Sequence, residues 1–328
     1  MTDISGASYN DGVHKHGLLA RFHNWVWGIR FFLQHGIPRR VFRFGGGLGD
    51  HLMISAVFRE LRKRGKKYSW MMTDHPSIFD NSIDVEKVVA DNWRVEKYCS
   101  RFGVMPTLLS YGQWIDDSDK IAPPEKHILL EIMERAGLQG EVQIRPWYSA
   151  VLSDENVSDH NRKVCIQGAG TRSSTEMKNK QWDEAKYAEL GEKLSQDYDL
   201  IQLGMPGESE IPSAKDFRGK LTIQQTAKIL AESRFFVGQV GFLMHLARAV
   251  GTRSTIIYGG REKAWQSGYP CNENIETSPP CSPCWQCNTC DHDRMCLEMI
   301  SVENVLEAIN RLEERLGDPL ETQTAVLR

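Results

Sequence analysis

From residue 41 onward the chain repeats one rhythm, a short apolar run followed by an amphipathic stretch, and this alternation limits the folds open to it. Val41-Phe42-Arg43-Phe44 reads as a strand and Gly45-Gly46-Gly47-Leu48-Gly49 as a tight loop. Residues 51–64 form a helix, with Leu52, Met53, Ala56, Val57 and Leu61 on one side and Gly65 as its stop. Further strands are expected at 68–72 and 85–89, and a helix at 125–136 before Gly137. Between 148 and 162 the apolar period gives way to Ser, Asp, Glu and Asn, which marks a domain boundary. The rhythm then restarts, with strands at 164–166, 200–203, 235–237 and 255–258 and helices at 184–194, 223–232 and 243–250. A last helix starts at the N-cap Ser301, carries Val302, Val305, Leu306, Ile309 and Leu312 on one face, and ends at Gly317 and Pro319.

Strands alternating with helices give parallel sheets covered on both faces. Two such halves predict an α/β protein of two doubly wound, Rossmann-like domains facing a cleft, with ligands beyond the carboxyl ends of the strands. The expected units are a helical segment at 1–38, a first domain at 39–150 and a second at 160–318 that carries a cysteine-rich loop at 271–296.

The 328 residues, 41% hydrophobic and 25% charged, suffice for two cores and exclude a disordered chain or a coiled coil. Forty Lys and Arg against 43 Asp and Glu leave a net charge of -3, so no global basic field points to nucleic acid. The most apolar early stretch, 25–33, is broken by Arg30 and falls short of the ~20 residues a bilayer needs. The first residues lack the basic start, apolar core and cleavage site of a signal peptide, so the cytosol is the expected location. Residues 17–35 mix Phe22, Trp25, Trp27, Phe31 and Phe32 with Arg21, His23, Arg30 and His35, and Phe22, Val26, Ile29 and Leu33 share a helical face. Such a helix either packs on the body of the protein or lies on the anionic inner face of a membrane as a peripheral contact.

Four segments can carry chemistry. In the first, Asp50 follows the glycine loop at a strand-to-helix junction. It stands where a third glycine of a dinucleotide loop would be, and it would repel phosphate. It is either a favourable helix cap or a general base for an acceptor hydroxyl. The second, Gly168-Ala169-Gly170-Thr171-Arg172, follows a strand and leads through Ser173, Ser174, Thr175 and Lys178 to Lys180 and Trp182. Small residues, hydroxyls and cations there suit a diphosphate, although a solvated loop has the same composition. The third brings Met244 and His245 to the start of a helix after a strand, either as structural residues or as part of a ligand site.

The fourth is Cys281-x2-Cys284-x2-Cys287-x2-Cys290-x5-Cys296. In a chain without a signal such crowding favours metal over disulfides. Two-residue gaps let thiolates converge on an ion, and the run approaches iron–sulfur spacing without its final C-x3-C-P. Zinc and iron are both compatible, the role is structural, and five cysteines exceed the four ligands of a tetrahedral site, so one is spare. Cys281, Cys284 and Cys287 with Cys296 or Cys290 are the expected set, and Cys271 lies outside it.

Taken in order over roughly residues 40–316, these segments resemble glycosyltransferase family 9, the heptosyltransferase-type enzymes that use ADP-heptose. The resemblance rests on 49–65, on 166–190 with its Lys-x-Trp at Lys180-Gln181-Trp182, on Leu203-Gly204-Met205-Pro206-Gly207-Glu208, and on 236–252 with Met244-His245-Leu246-Ala247. It implies a GT-B fold and inverting transfer from a nucleotide sugar, an ADP-sugar above all, to a glycan, lipid-linked or protein acceptor, with no obligatory divalent metal. It implies Asp50 as the base, and Gly49, Gly170, Thr171, Arg172, Lys180, Glu208, Met244 and His245 on the donor side. Apart from the resemblance, an ordered, protruding cysteine loop is a natural assembly surface, compatible with a homo-oligomer. The family's Asp-Ser/Thr-Gly is replaced here by Val240-Gly241-Phe242, which removes the carboxylate that grips donor hydroxyls. Either the donor sugar differs, another carboxylate substitutes, or the copy is inactive. The 171–180 loop is also longer than usual. A GT-B sugar-nucleotide epimerase and an inactive metal-binding homologue are the competing functions.

Overall fold

The structure, a computed structural model, describes residues 18–112, 115, 119–150, 162–169 and 177–328. Strands β1 (Arg40–Arg43), β2 (Ser69–Met72), β3 (Lys87–Val89) and β4 (Thr107–Leu108) form a parallel sheet in the order β3-β2-β1-β4. After β5 (Gly140–Gln143) comes the larger parallel sheet. Its strands are β6 (Lys163–Gln167), β7 (Asp199–Leu203), β8 (Lys215–Asp216), β9 (Phe235–Gln239), β10 (Ser254–Gly259) and β11 (Glu273–Glu276), ordered β11-β10-β9-β6-β7-β8. Cys165 of β6 pairs with Ile201 of β7 on one side and Phe236 of β9 on the other. The last strand, β12 (Thr324–Leu327), returns to pair antiparallel with β5.

Around these sheets lie α1 (Leu18–His35), α2 (Leu48–Lys63), α3 (Trp93–Ser100), α4 (Ile128–Arg135), α5 (Glu184–Leu194), α6 (Ile223–Ala231), α7 (Phe242–Val250), α8 (Ala264–Ser267), α9 (Met295–Glu298) and α10 (Val302–Glu314). Strands covered on both faces read as continuous apolar runs, and every residue of β9 and of β10 is buried. One core runs without a break from Phe42, Leu52 and Met71 through Ile132 to Cys165, Phe236, Leu246 and Tyr258, so the two sheets share it. Each such side chain contributes about 1.5–3 kcal/mol by leaving water. Trp182, Tyr187, Leu190 and Val305 form a second cluster beneath α5 and α10.

A third, small cluster of Val41, Trp70, Val95 and Tyr98 is capped by Trp27 and Phe31 of α1. Trp27 and Phe31 stack at 4.8 Å, and Phe31 meets the Tyr98 ring at 4.8 Å. The helix thus packs on the body through one face, while Phe22, Trp25, Ile29, Phe32 and Leu33 stay exposed on the other. No described helix is long and apolar enough to cross a membrane.

Several boundaries differ from expectation for local reasons. Helix α2 begins at Leu48 rather than 51, so Asp50 lies inside its first turn. Helix α4 begins at Ile128 rather than 125, after Pro123-Pro124, and His127 Nδ1 caps it by accepting from the Leu129 N–H at 3.2 Å. The α3 helix was not expected. It is capped by Asn92, whose Oδ1 accepts from the N–H groups of Arg94 and Val95, each at 3.1 Å. Most of the expected domain boundary, 151–161, lies outside the described residues.

Candidate active site

The glycine loop after β1 curls around a carboxylate. Asp50 Oδ2 accepts the N–H of Gly47 at 2.8 Å, and Oδ1 accepts the Tyr111 hydroxyl at 2.8 Å. A Cβ at Gly46 would lie 2.3 Å from Asp50 Oδ2, so the loop needs glycine there. The helix N-terminus that could have received a phosphate is occupied by the protein's own carboxylate. Burial pushes the Asp50 carboxyl above its ordinary range, against the bonds from Tyr111 and Gly47 and the charge of Lys180. Burial and the adjacent Asp50 raise the Tyr111 hydroxyl well above its usual value, so it stays a donor. The other half of the molecule approaches closely here. A Cβ on Gly49 would stand 3.4 Å from His245 Cδ2 and 3.4 Å from Phe242 Cα, at the start of α7.

Across that contact stands Lys180, in the short turn Lys178–Lys180. Its Nζ lies 2.7 Å from Glu262 Oε1, and its charge reaches Asp50 and His245. Burial lowers the Lys180 ammonium, and the Glu262 carboxylate opposes that. Glu262 itself is almost fully buried and takes bonds from Arg261 at 2.8 Å and the Ser267 hydroxyl at 2.7 Å. Burial alone would raise it, but the flanking Lys180 and Arg261 cations hold it at about 2. Arg261, Glu262 and Tyr111 escaped the sequence reading. Arg261 and Glu262 directly follow the carboxyl end of β10, the position rule that could have found them.

Glu208 follows β7 and is buried, and its Oε1 accepts from Gln167 Nε2 at 3.3 Å. Its Oε2 has no hydrogen-bond partner among the described residues, and burial pushes its carboxyl up to about 7. An unpaired buried oxygen at a strand's carboxyl end is ready for a ligand hydroxyl. His245 is buried beside the Tyr269 hydroxyl, 2.7 Å from its Nδ1, and burial drives its imidazole down to about 3, so it is neutral. Met244 is fully buried and takes the Tyr258 hydroxyl on its sulfur at 3.4 Å. Val240 lies in the shared core, which leaves no carboxylate at that point. Gly170, Thr171 and Arg172 lie outside the described residues.

The cysteine run divides. Cys281, Cys284, Cys290 and Cys296 line one small cavity of about 20 Å³, together with His292, Arg294 and Arg261. That is room for a single water or ion. Burial raises the Cys296 thiol, and the neighbouring Cys284, Cys290 and Cys281 add to it. Cys287, the third ligand expected from spacing, is not in this lining; it is buried with its Sγ 3.7 Å from an Arg261 amine. Trp285, between Cys284 and Cys287, has φ 53°, in the left-handed region. The four thiols match in kind and number a tetrahedral thiolate site. As they stand, no group of three or more His, Cys, Asp or Glu among the described residues is drawn together to hold a metal.

Residues 152–290 match the sequence model of glycosyltransferase family 9 (heptosyltransferase). Among curated protein sequences none matches. Solved structures are similar in fold. The iron-containing dodecameric glycosyltransferase TibC of enterotoxigenic E. coli H10407 aligns with a TM-score of 0.65 at 19% identity, over 85% of this chain and 78% of its own. A family 9 glycosyltransferase of Veillonella parvula DSM 2008 gives 0.58 at 12% identity, over 84% and 97%. The E. coli ADP-heptose lipopolysaccharide heptosyltransferase II gives 0.57 at 12%, over 84% and 99%. The chain has the GT-B fold of these structures, and its residues 152–290 are similar in sequence to glycosyltransferase family 9 (heptosyltransferase).

Proposed function

We propose that the protein is an inverting glycosyltransferase that moves a sugar from a nucleoside diphosphate to an acceptor hydroxyl, with Asp50 as general base and Lys180 as the cation for the departing diphosphate. The observation that carries this reading is the meeting of a half-buried carboxylate, raised in basicity by desolvation, with the charge of a half-buried lysine across the contact between the two halves. The acceptor oxygen attacks the anomeric carbon as its proton passes to Asp50, and the bond to the diphosphate oxygen breaks with its electron pair going to phosphate. Lys180 has three N–H donors, so it can keep Glu262 and still donate to the leaving group. Glu208 Oε2 suits a ribose hydroxyl. Residues 39–150 serve the acceptor and 160–318 the donor.

TibC has been crystallised with ADP-D-beta-D-heptose, which supports an ADP-sugar as donor. Because Val240 offers no carboxylate, the transferred sugar is a heptose or relative that is not gripped at that point. The acceptor belongs to the class of glycans, lipid-linked sugars or proteins. TibC is iron-containing and dodecameric, which supports iron at Cys281, Cys284, Cys290 and Cys296 and assembly of this chain into a homo-oligomer. Iron there would order the loop and takes no part in transfer. The exposed face of α1 serves as a peripheral membrane contact.

The test is mass spectrometry of nucleotide sugars incubated with the protein, with and without acceptor, alongside Asp50→Asn. Release of nucleoside diphosphate only with acceptor is expected, and Asp50→Asn should lower kcat by ~10²–10⁴ with donor binding intact. Interconversion of sugars without acceptor, or full turnover by Asp50→Asn, would overturn the reading.

A further inference from the structure

The turn that carries Lys180 is tied to a segment far along the chain. Its backbone and its middle side chain are held by the cysteine loop more than a hundred residues later. The Lys178 N–H donates to Asn288 Oδ1 at 3.1 Å, and the Asn179 N–H to the Cys287 carbonyl at 3.0 Å. The buried Asn179 amide is saturated by the same loop. Its Nδ2 donates to the carbonyls of Gln286 at 3.1 Å and Thr289 at 2.7 Å, and its Oδ1 accepts from Arg294 Nε at 3.1 Å. A second arm reaches Lys180 through its counterion, because Arg261 donates to Glu262 at 2.8 Å and to the Gln286 carbonyl at 2.9 Å while lying over the Trp285 ring at 4.8 Å. The loop also grips the other half of the molecule. The Cys287 N–H donates to the Asp119 carbonyl at 2.9 Å, and the Ile121 N–H to the Trp285 carbonyl at 3.1 Å.

We infer that Asn179 is a positioning residue for donor binding: by locking the Lys178–Lys180 turn onto loop 286–294, it holds the Lys180 ammonium where the diphosphate docks. A buried side-chain amide with every hydrogen-bonding group engaged tolerates no alternative placement, and the residue it precedes inherits that precision. The cysteine loop is then part of the donor site's scaffold, and Asn179 lines the same small cavity as Cys281, Cys284, Cys290 and Cys296. This inference rests on Lys180 being the donor's cation.

The experiment is calorimetric titration of ADP into the wild-type chain, Lys180→Ala, Asn179→Ala, Asn179→Ser and the Lys180→Ala/Asn179→Ala double variant, with donor KM and kcat measured on each. Asn179→Ser, small and uncharged, leaves a hydroxyl that can still donate once, so it reads the effect if the alanine variant does not fold. Either Asn179 variant should weaken ADP about tenfold, raise donor KM and lower kcat, because the misplaced Lys180 also stabilises the departing diphosphate less well. On the Lys180→Ala background the same change should cost less than about twofold, because the residue acts through that lysine. Unchanged ADP affinity in the Asn179 variants, or an equal loss on both backgrounds, overturns the inference alone. Unchanged affinity in Lys180→Ala overturns the reading of Lys180 and this inference with it.

Discussion

Tyr111 donates its hydroxyl to Asp50 Oδ1 at 2.8 Å, so the candidate base is steadied by a residue from the loop after β4 as well as by the Gly47 N–H at the start of its own helix. A donor to a carboxylate favours the ionised form and lowers its pKa, while burial here raises it. Removing the donor therefore raises Asp50 further. In Tyr111→Phe the acidic limb of the kcat/KM profile should move up by ~0.5–1 pH unit, with activity recovering at higher pH. A limb that stays put or moves down would show that the bond does not tune the base.

Glu208 allows a pH prediction on stability. Its carboxyl is raised by burial to about 7 in the folded chain, against an ordinary value of about 4.5. The folded state thus binds the proton more tightly than the unfolded one. The contribution is fully present below about 4.5 and is lost as pH rises through about 7. Glu208→Gln keeps the shape of the neutral acid and cannot ionise. Its Tm should exceed that of the parent at pH 8 and match it near pH 4, while nucleotide affinity falls at pH 8. Equal Tm differences at both pH values would remove ionisation from the account.

The cysteine cavity yields a contrast within one loop. Protein purified without affinity-column metal should carry about one ion or cluster per chain, with iron giving visible absorption and zinc none. Cys284→Ser opens the cavity and should lose the metal, whereas Cys287→Ser, outside its lining, should keep it. Elemental analysis reads both. Loss of the metal in both variants would return the ligand set to the spacing-based choice.

That choice shows where sequence legibility ends. Helix α5 coincides with the residues expected, because Asp183 caps it and Tyr187, Leu190 and Leu194 mark its buried side within eleven residues. Helix α3 was missed because its eight residues bury only Val95, Tyr98 and Cys99, too few to show a period. Cys287 and Cys290 are equivalent by spacing, and only the folded loop shows that Cys290 lines the cavity while Cys287 is buried against Arg261. Asp50 was legible as a carboxylate at a strand-to-helix junction. Its partners Tyr111 and Lys180 lie 61 and 130 positions away, and Glu262 pairs with Lys180 across 82 more. Such pairings depend on how two sheets share one core, which no local pattern records.

Helix α1 offers the last test. Trp25 is 62% exposed and Leu33 76%, on a helix with no acidic residue and with Arg30 exposed among them. Packing explains Trp27 and Phe31 and leaves this second apolar face without a partner among the described residues. Aromatic and aliphatic side chains beside cations suit the boundary of an anionic lipid surface, where burying one large side chain contributes about 1.5–3 kcal/mol. The chain should therefore cosediment with phosphatidylglycerol vesicles at low salt, less so at high salt, and weakly with phosphatidylcholine alone. Trp25→Glu should reduce the anionic binding at least about tenfold and leave turnover on a water-soluble acceptor unchanged, because the side chain lies on the solvent-exposed face of α1. Equal binding by Trp25→Glu, or a concentration-dependent mass change in the parent that the variant abolishes, would assign this face to something other than lipid, the second result to another copy of the chain.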